Sequence, residues 1–389
     1  MSAAHAEWAI VAGAGLNGLG VVRSLGRAGV RVAVIDCAPG PALDSRFARV
    51  AIGDAPERSG RAFLEAIVAL AGRLGGRPVL VLTQEATVVA TCDHPDVLGD
   101  AVRHLAPDPA TTRLLLSKEH TQERAEAMGF PVPRTVRLAS PAEVEAARAL
   151  TYPVVLKPAQ KSEAWERSRR KAYRFDGFDE LAALYGGMSA DAPPVVVQEW
   201  IEGSDCDLWF TLVWRDGQGG GQAFTGRKLR QWPPGVGGTA SCAPAPPGVA
   251  AELEALTEQF LAAVGCVGLA SIEYKQDRRS GRFLMVEPTV ARTDFQEEVA
   301  TLNGVNLPLA AYRALLGLPA PVAGRPGRGV IWREALSDAR SAAAQPGLAL
   351  PDTVRDMRVA DALRRLDDPG PWLASTRRRI TRRFSRGQA

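Results

Sequence analysis

At 389 residues the chain is longer than one ordinary domain and has room for two or three. Hydrophobic residues make up 46% and charged residues 23%, which excludes a disordered chain, a collagen and a disulfide-stapled mini-protein. The net charge of +4 rests on six arginines in the last thirteen residues, so the body is nearly neutral and presents no broad basic face to nucleic acid.

The almost wholly apolar stretch from Trp8 to Val22 lies where a leader would, but Glu7 precedes it and four glycines and Asn17 interrupt it. It reads as strand, turn and helix, and nothing else approaches the length of a membrane span. In order come a strand at Trp8–Ala12, a glycine turn, a helix to about Ala28, and a strand at Val30–Asp36 that ends on an acid. A strand near Arg49–Ile52, a helix from Arg61 to Leu74 and a strand at Pro78–Leu82 follow. Strands alternating with helices imply a doubly wound parallel sheet over residues 1–106. Pro107-Asp108-Pro109 breaks the chain.

A second segment, 107–194, holds a helix from Leu114 to Met128, a strand ending on Lys157, and a densely basic loop at Lys161–Arg174. That loop is expected to be a mobile lid that closes over phosphates. A third segment, 195–320, reads as strands at Val195–Trp200, Leu208–Val213 and Ala223–Leu229, a helix at Ala251–Val264, and strands at Leu269–Tyr274 and Arg282–Glu287. The remainder, 321–389, is rich in proline, glycine and alanine and carries the basic tail. The tail reads as a frayed, solvated terminus in preference to a contact with nucleic acid or anionic membrane. Five scattered cysteines, never in CxxC spacing, and four histidines argue for a reducing cytoplasm and against a zinc site.

Two constellations carry chemistry. Gly13-x-Gly15-x-x-Gly18 follows a strand and opens a helix, with Asp36 eighteen residues beyond Gly18. This suits a dinucleotide, with the acid on ribose, but a small substrate carboxylate or packing alone would use the same glycines. The second constellation has more parts in order: Lys118, Lys157, Gln198-Glu199-Trp200-Ile201, Asp205, Lys228, Glu273 and Glu287. Only six basic residues are lysines, and three of them fall here, although arginine's planar fork does not replace a compact ammonium. Separated lysines neutralise a triphosphate from several sides, and two carboxylates on neighbouring strands hold a hard cation. The expected site is a triphosphate cleft between two sheets, without a Walker-type loop.

With these residues in place, the chain resembles the ATP-grasp superfamily of carboxylate–amine ligases, and most closely its D-aspartate ligase-like branch. The likeness covers roughly Lys118 to Pro308. It implies a pre-ATP-grasp doubly wound α/β domain at 1–106 and a two-subdomain α+β ATP-grasp fold, 107–194 and 195–320, with a C-terminal extension at 321–389. Carried over by position, Lys118 and Lys157 match the lysines on the α- and β-phosphates. Gln198 to Ile201, with Trp200, matches the adenine hinge, and Asp205, or else Asp207, matches the ribose acid. Lys228 matches the γ-phosphate lysine. Glu273 and Glu287 match the metal carboxylates, and Thr289 stands where relatives carry a ligating asparagine. Ser271 replaces an arginine that many relatives carry, and Arg292 is its expected substitute on the transferring phosphoryl group.

The resemblance implies ATP and Mg²⁺, two ions by the family's pattern, and a reaction that joins a carboxylate to an amine through an acyl phosphate. Gly13, Gly15, Arg227, Arg230, Arg292 and Asp294 are the candidates for holding substrate. The expected partners are the small-molecule carboxylate and amine, and a second copy of the chain. The competing readings are another ATP-grasp activity, carboxylase-type or phosphorylating, and an NAD-dependent oxidoreductase.

Overall fold

The computed structural model describes residues 7–158, 173–188, 194–324 and 328–386, with the last helix given by its backbone alone from residue 379. The chain opens with β1 (Trp8–Ala12), α1 (Leu16–Arg27), β2 (Arg31–Ile35), β3 (Ala48–Ile52), α2 (Arg61–Leu74), β4 (Val79–Leu82) and α3 (Glu85–Asp93). The strands form one parallel sheet in the order β3-β2-β1-β4, with Trp8 opposite Arg31 and Ala9 opposite Val79. β1, β2 and β4 are buried along almost their whole length, and strands of a covered parallel sheet read as unbroken apolar runs for that reason. The turn into α1 needs its glycines. Gly13 sits at φ +123°, and a Cβ there would lie 2.1 Å from Thr83 Oγ1. A Cβ on Gly18 would lie 1.9 Å from the Gly13 carbonyl, so helix and turn pack backbone to backbone.

The helix read at Leu114–Met128 is two helices, α4 (Pro109–Leu116) and α5 (Lys118–Ala127), parted at Ser117, whose backbone is extended. Asp108 caps α4 by accepting from the amides of Ala110 and Thr111. Next come β5 (Thr135–Leu138), β6 (Val154–Pro158), β7 (Tyr173–Phe175), α6 (Phe178–Gly186) and β8 (Val195–Glu199). These strands form a small antiparallel sheet, order β5-β8-β6-β7, over a core of Leu138, Val154, Leu156, Leu181, Tyr185 and Val197.

The rest comprises β9 (Leu208–Arg215), β10 (Gly221–Trp232), β11 (Gly238–Pro244), α7 (Pro247–Ala263), β12 (Gly268–Gln276) and β13 (Phe283–Val290). It continues with α8 (Glu298–Leu302), α9 (Leu307–Leu315), β14 (Val330–Arg333), α10 (Ala335–Ala344), β15 (Arg358–Asp361) and α11 (Gly370–Arg386). A seven-stranded sheet runs in the order β13-β12-β9-β10-β11-β14-β15. Its strand β9 is buried at all eight positions.

The chain divides into two compact units. One comprises Met1–Lys118, Ser204–Glu273 and Glu287–Ala389, and the other Glu119–Gly203 with the hairpin Tyr274–Val286.

The segment after residue 320 is far more ordered than its composition suggests. Trp332 is buried in the core with Cys242 opposite it, which draws β14 onto β11 antiparallel, and β15 then adds parallel to β14. The connection from β15 to α11 is clasped to α1 by a buried ion cluster. Arg23, wholly buried, donates to Asp368 at 2.8 Å and to the Ala362 carbonyl at 2.5 Å, and lies 3.7 Å from Glu298. Asp368 also accepts from Ser45 Oγ and the Arg46 amide. The expected frayed tail is corrected by the fold: it is the second half of α11, helical to Arg386. The basic loop Lys161–Arg174 lies outside the described residues up to Ala172; Arg174 itself sits 3.4 Å from Glu202. Among the described residues no helix is long and apolar enough to cross a membrane, and no cluster of three or more His, Cys, Asp or Glu is poised for a metal. All five cysteines are unpaired.

Candidate active site

Lys228 stands in the middle of β10, opposite Cys242 of β11, and is only 5% exposed. Burial on its own disfavours its charged form. The Glu273 carboxylate, with which it pairs, outweighs that cost together with Asp294 and Glu287, and holds the ammonium above the ordinary lysine value. Glu273 comes from β12 and Glu287 from β13, which are neighbours in the sheet. Lys118, the first residue of α5, places its Nζ 2.7 Å from Glu287 Oε2. Each of the two carboxylates therefore faces an ammonium. Thr289 lies two residues beyond Glu287 on the same strand face and is buried.

Beyond β13 the chain turns through Ala291 at φ +56°, the one non-glycine with positive φ among the described residues. That conformation costs on the order of 1 kcal/mol and occurs where function fixes a turn. It delivers Arg292, Thr293 and Asp294. Asn17 of α1 donates to the Thr293 carbonyl at 2.8 Å and to the Thr83 carbonyl at 2.9 Å, and it accepts from the Thr293 hydroxyl. Arg292 donates to the Thr293 carbonyl and lies 3.7 Å from Glu85, while its Nε is buried without a partner. Asp294 accepts from Ser271 at 2.9 Å, from Gln296 at 3.3 Å, and from the Phe295 amide. Glu297 is buried, its Oε1 has no partner, and burial followed by the nearby Asp294 charge pushes its carboxyl well above the usual range. Gln296, Glu85 and Asn17 escaped sequence reasoning. Asn17 inside the glycine turn was the only available signal.

The other expected substrate residues lie elsewhere. Arg227 donates to the Cys206 carbonyl and stacks 4.6 Å over Trp209, next to Lys228 in sequence and thus on the opposite face of β10. A β-bulge after Lys228 pairs Arg230 with Ser241 instead of continuing the Lys228 face, and Arg230 and Ser241 both bond Asp338 of α10. Asp205 accepts from the amides of Gln231 and Gly235 and from Gln345, all at 2.9 Å, and so braces the loop after β10. Asp207 closes a capping box with Ser204. Gly13 is filled by Thr83 and Gln84, whereas Gly15, the N-cap of α1, faces open space. Asp36 accepts from the amides of Ala14 and Cys37, from Arg58 and from Gln84. Four donors fill a carboxylate's acceptor capacity, which removes the ribose acid that a dinucleotide site would need.

In the smaller unit, Lys157 of β6 donates to Gln198 Oε1 at 3.2 Å, and Gln198 in turn donates to Gln122 and Thr135. The amides of Glu199 and Trp200 bond the carbonyls of Arg134 and Pro153, and the Glu199 carboxylate accepts from the Thr151 amide. Two cations lie over the Trp200 ring, Arg174 at 5.5 Å and Lys275 at 5.0 Å. Ile201 is buried directly after it.

No family model matches the chain. No curated protein matches it either. Solved structures do. An ADP complex of N5-carboxyaminoimidazole ribonucleotide synthetase superposes with a TM-score of 0.60 at 15% identity, covering 84% of this chain and 80% of that one. The biotin carboxylase subunit of pyruvate carboxylase gives 0.58 at 16%, covering 83% and 73%. The biotin carboxylase domain of Hydrogenobacter thermophilus 2-oxoglutarate carboxylase, solved with MgADP, ADP and bicarbonate, gives 0.59 at 16%, covering 83% and 73%.

This is the ATP-grasp fold. A parallel-sheet domain precedes a larger sheet here as in those enzymes, and at such low identity the likeness is one of architecture. Within the ATP-grasp frame, the Lys228–Glu273 and Lys118–Glu287 pairs lie on the large sheet and at its border, while Lys157 and Gln198–Ile201 belong to the small one.

Proposed function

We propose that the chain is an ATP-dependent ligase that joins a carboxylate to an amine, of the D-aspartate ligase-like branch that its motifs resemble. The observation that carries this reading is the pair of ammonium groups, Lys118 and Lys228, facing two carboxylates on adjacent strands of an ATP-grasp sheet. Such an array is neutral at rest and converts to a triphosphate site when the lysines turn from carboxylate to phosphate oxygen.

The residues fit magnesium. Glu273, Glu287 and the Thr289 hydroxyl are hard oxygen donors, and each carboxylate already faces a cation in the lysine beside it. A bound magnesium ion would neutralise charge on the phosphates. Lys228 and Lys118 would draw the γ- and neighbouring phosphate oxygens into line, and the resemblance gives Lys157 a phosphate role of its own. The donor carboxylate oxygen forms a bond to the γ-phosphorus as the bond to ADP breaks. The amine nitrogen then bonds the acyl carbon, the acyl C–O bond breaks, phosphate leaves and the amine proton passes to solvent. A carboxylate and an amine exchange a proton in water and do not condense, so activation is what the enzyme adds. The Asp294 carboxylate suits the amine, and the Arg292 guanidinium suits a carboxylate.

The structural likeness favours a second reading, a carboxylase-type enzyme in which bicarbonate is the oxygen nucleophile. Both readings share the first step. ADP release assayed against amino acids, small carboxylic acids and bicarbonate, with mass spectrometry of the products, separates them. An amide product supports the ligase, a carboxylated product the alternative, and no nucleotide-dependent product from any pair sinks both.

A further inference from the structure

We propose that α11 is a docking helix for an anionic lipid surface. The helix carries Arg377, Arg378, Arg379, Arg382, Arg383 and Arg386 and no acidic residue. The remainder of the chain sums to a slight negative charge, so the positive charge is concentrated on this element. The sequence spaces Ile380 and Phe384 seven and eleven residues after Leu373, the repeat of a single helical stripe. Leu373 is 55% exposed, Trp372 39%, and Leu366 just before the helix is fully exposed. Three apolar side chains in solvent, at and just before the start of a helix whose sequence carries six arginines and no acid, fit a helix that lies in a lipid interface.

The root of the helix is fixed to the body. Asp368 is held by Arg23, and a Cβ on Gly370 would lie 2.1 Å from the Asp44 carbonyl, so the chain lies tight on the body there. Arg378 pairs with Asp44 at 2.7 Å, and Arg364 lies 5.4 Å over the Trp372 ring. Beyond Arg378 the helix runs two more turns to Arg386. A nucleic acid would use the same arginines, but it has no use for exposed Leu366 and Leu373. The apolar residues decide for lipid. No group of the proposed active site lies on this helix, so docking would place the enzyme without altering its chemistry.

The test is co-sedimentation of the full chain with vesicles of phosphatidylcholine, or of phosphatidylcholine mixed with phosphatidylglycerol. Binding to the anionic vesicles alone is expected, weakening as salt shortens the screening length from roughly 10 Å at 0.1 M to about 3 Å at 1 M. Arg382→Glu with Arg383→Glu should weaken it roughly tenfold or more. Leu373→Ser should weaken it independently, with the melting temperature of each variant unchanged. Equal binding to neutral vesicles, no binding to either, or indifference to both substitutions would overturn the proposal. So would tighter capture by a single-stranded oligonucleotide that Leu373→Ser leaves unaffected.

Discussion

Glu287 faces water on one side and the Lys118 ammonium on the other, so its loss removes a charge without opening a cavity. Glu287→Gln is therefore expected to abolish ADP release while leaving the melting temperature within a degree or so. Wild-type-like turnover from the folded variant would refute the metal assignment. Glu297 gives a prediction of opposite character. Burial raises its carboxyl above the value it has in the unfolded chain, so the native state keeps a proton that the unfolded state releases. Native stability must then fall as pH rises above the ordinary carboxylate range. Glu297→Gln, with nothing to ionise, should match the wild type in acid and melt higher near about pH 8. A variant that melts lower at that pH would show the carboxylate to be paired and favourable. Such a residue, kept where it weakens the fold, is expected of a functional site.

Among the elements, α1 and the connection from β15 to α11 depend on each other through Arg23. Arg23→Met would leave Asp368 buried without its cation, at a cost of about 3–5 kcal/mol read from denaturant midpoints. A loss below about 1 kcal/mol would mean that Arg27 and Arg365, which also reach Glu298, carry the cluster. The ease with which elements can be read from sequence follows the same physics. β1, β2, β4 and β9 declare themselves because strands buried on both faces are apolar throughout. β11 does not, since Gly-Thr-Ala-Ser-Cys-Ala-Pro is small and polar and becomes a strand through its partners. β14 and β15 are four residues each, defined by pairing to a distant strand. In the site, the acids inside the apolar runs of β12 and β13 and the lysine of β10 stand out by residue type. The turn of Arg230 toward Asp338 could not be read, because the bulge behind it leaves no mark in the sequence.

For the whole molecule, the nucleotide is the discriminating ligand. ATP with Mg²⁺ is expected to raise the melting temperature, since only a ligand bound to the native state stabilises it. NAD should not, because Asp36 already has four donors, and GTP should not, because its base edge reverses the donor and acceptor that adenine shows a backbone hinge. Equal stabilisation by NAD would revive the oxidoreductase. The seven-stranded sheet has another consequence, for how the protein is made. Its order is not the order of synthesis: β11 is translated long before β14, which pairs with its free edge. A nascent chain thus carries β11 as a raw edge, with the seat of Trp332 empty, until β14 has left the ribosome. Exposed edges invite pairing with other chains. A version ending at Gly329 should accordingly collect in the insoluble fraction while the 389-residue chain stays dissolved, and the chain should lean on chaperones until β14 emerges.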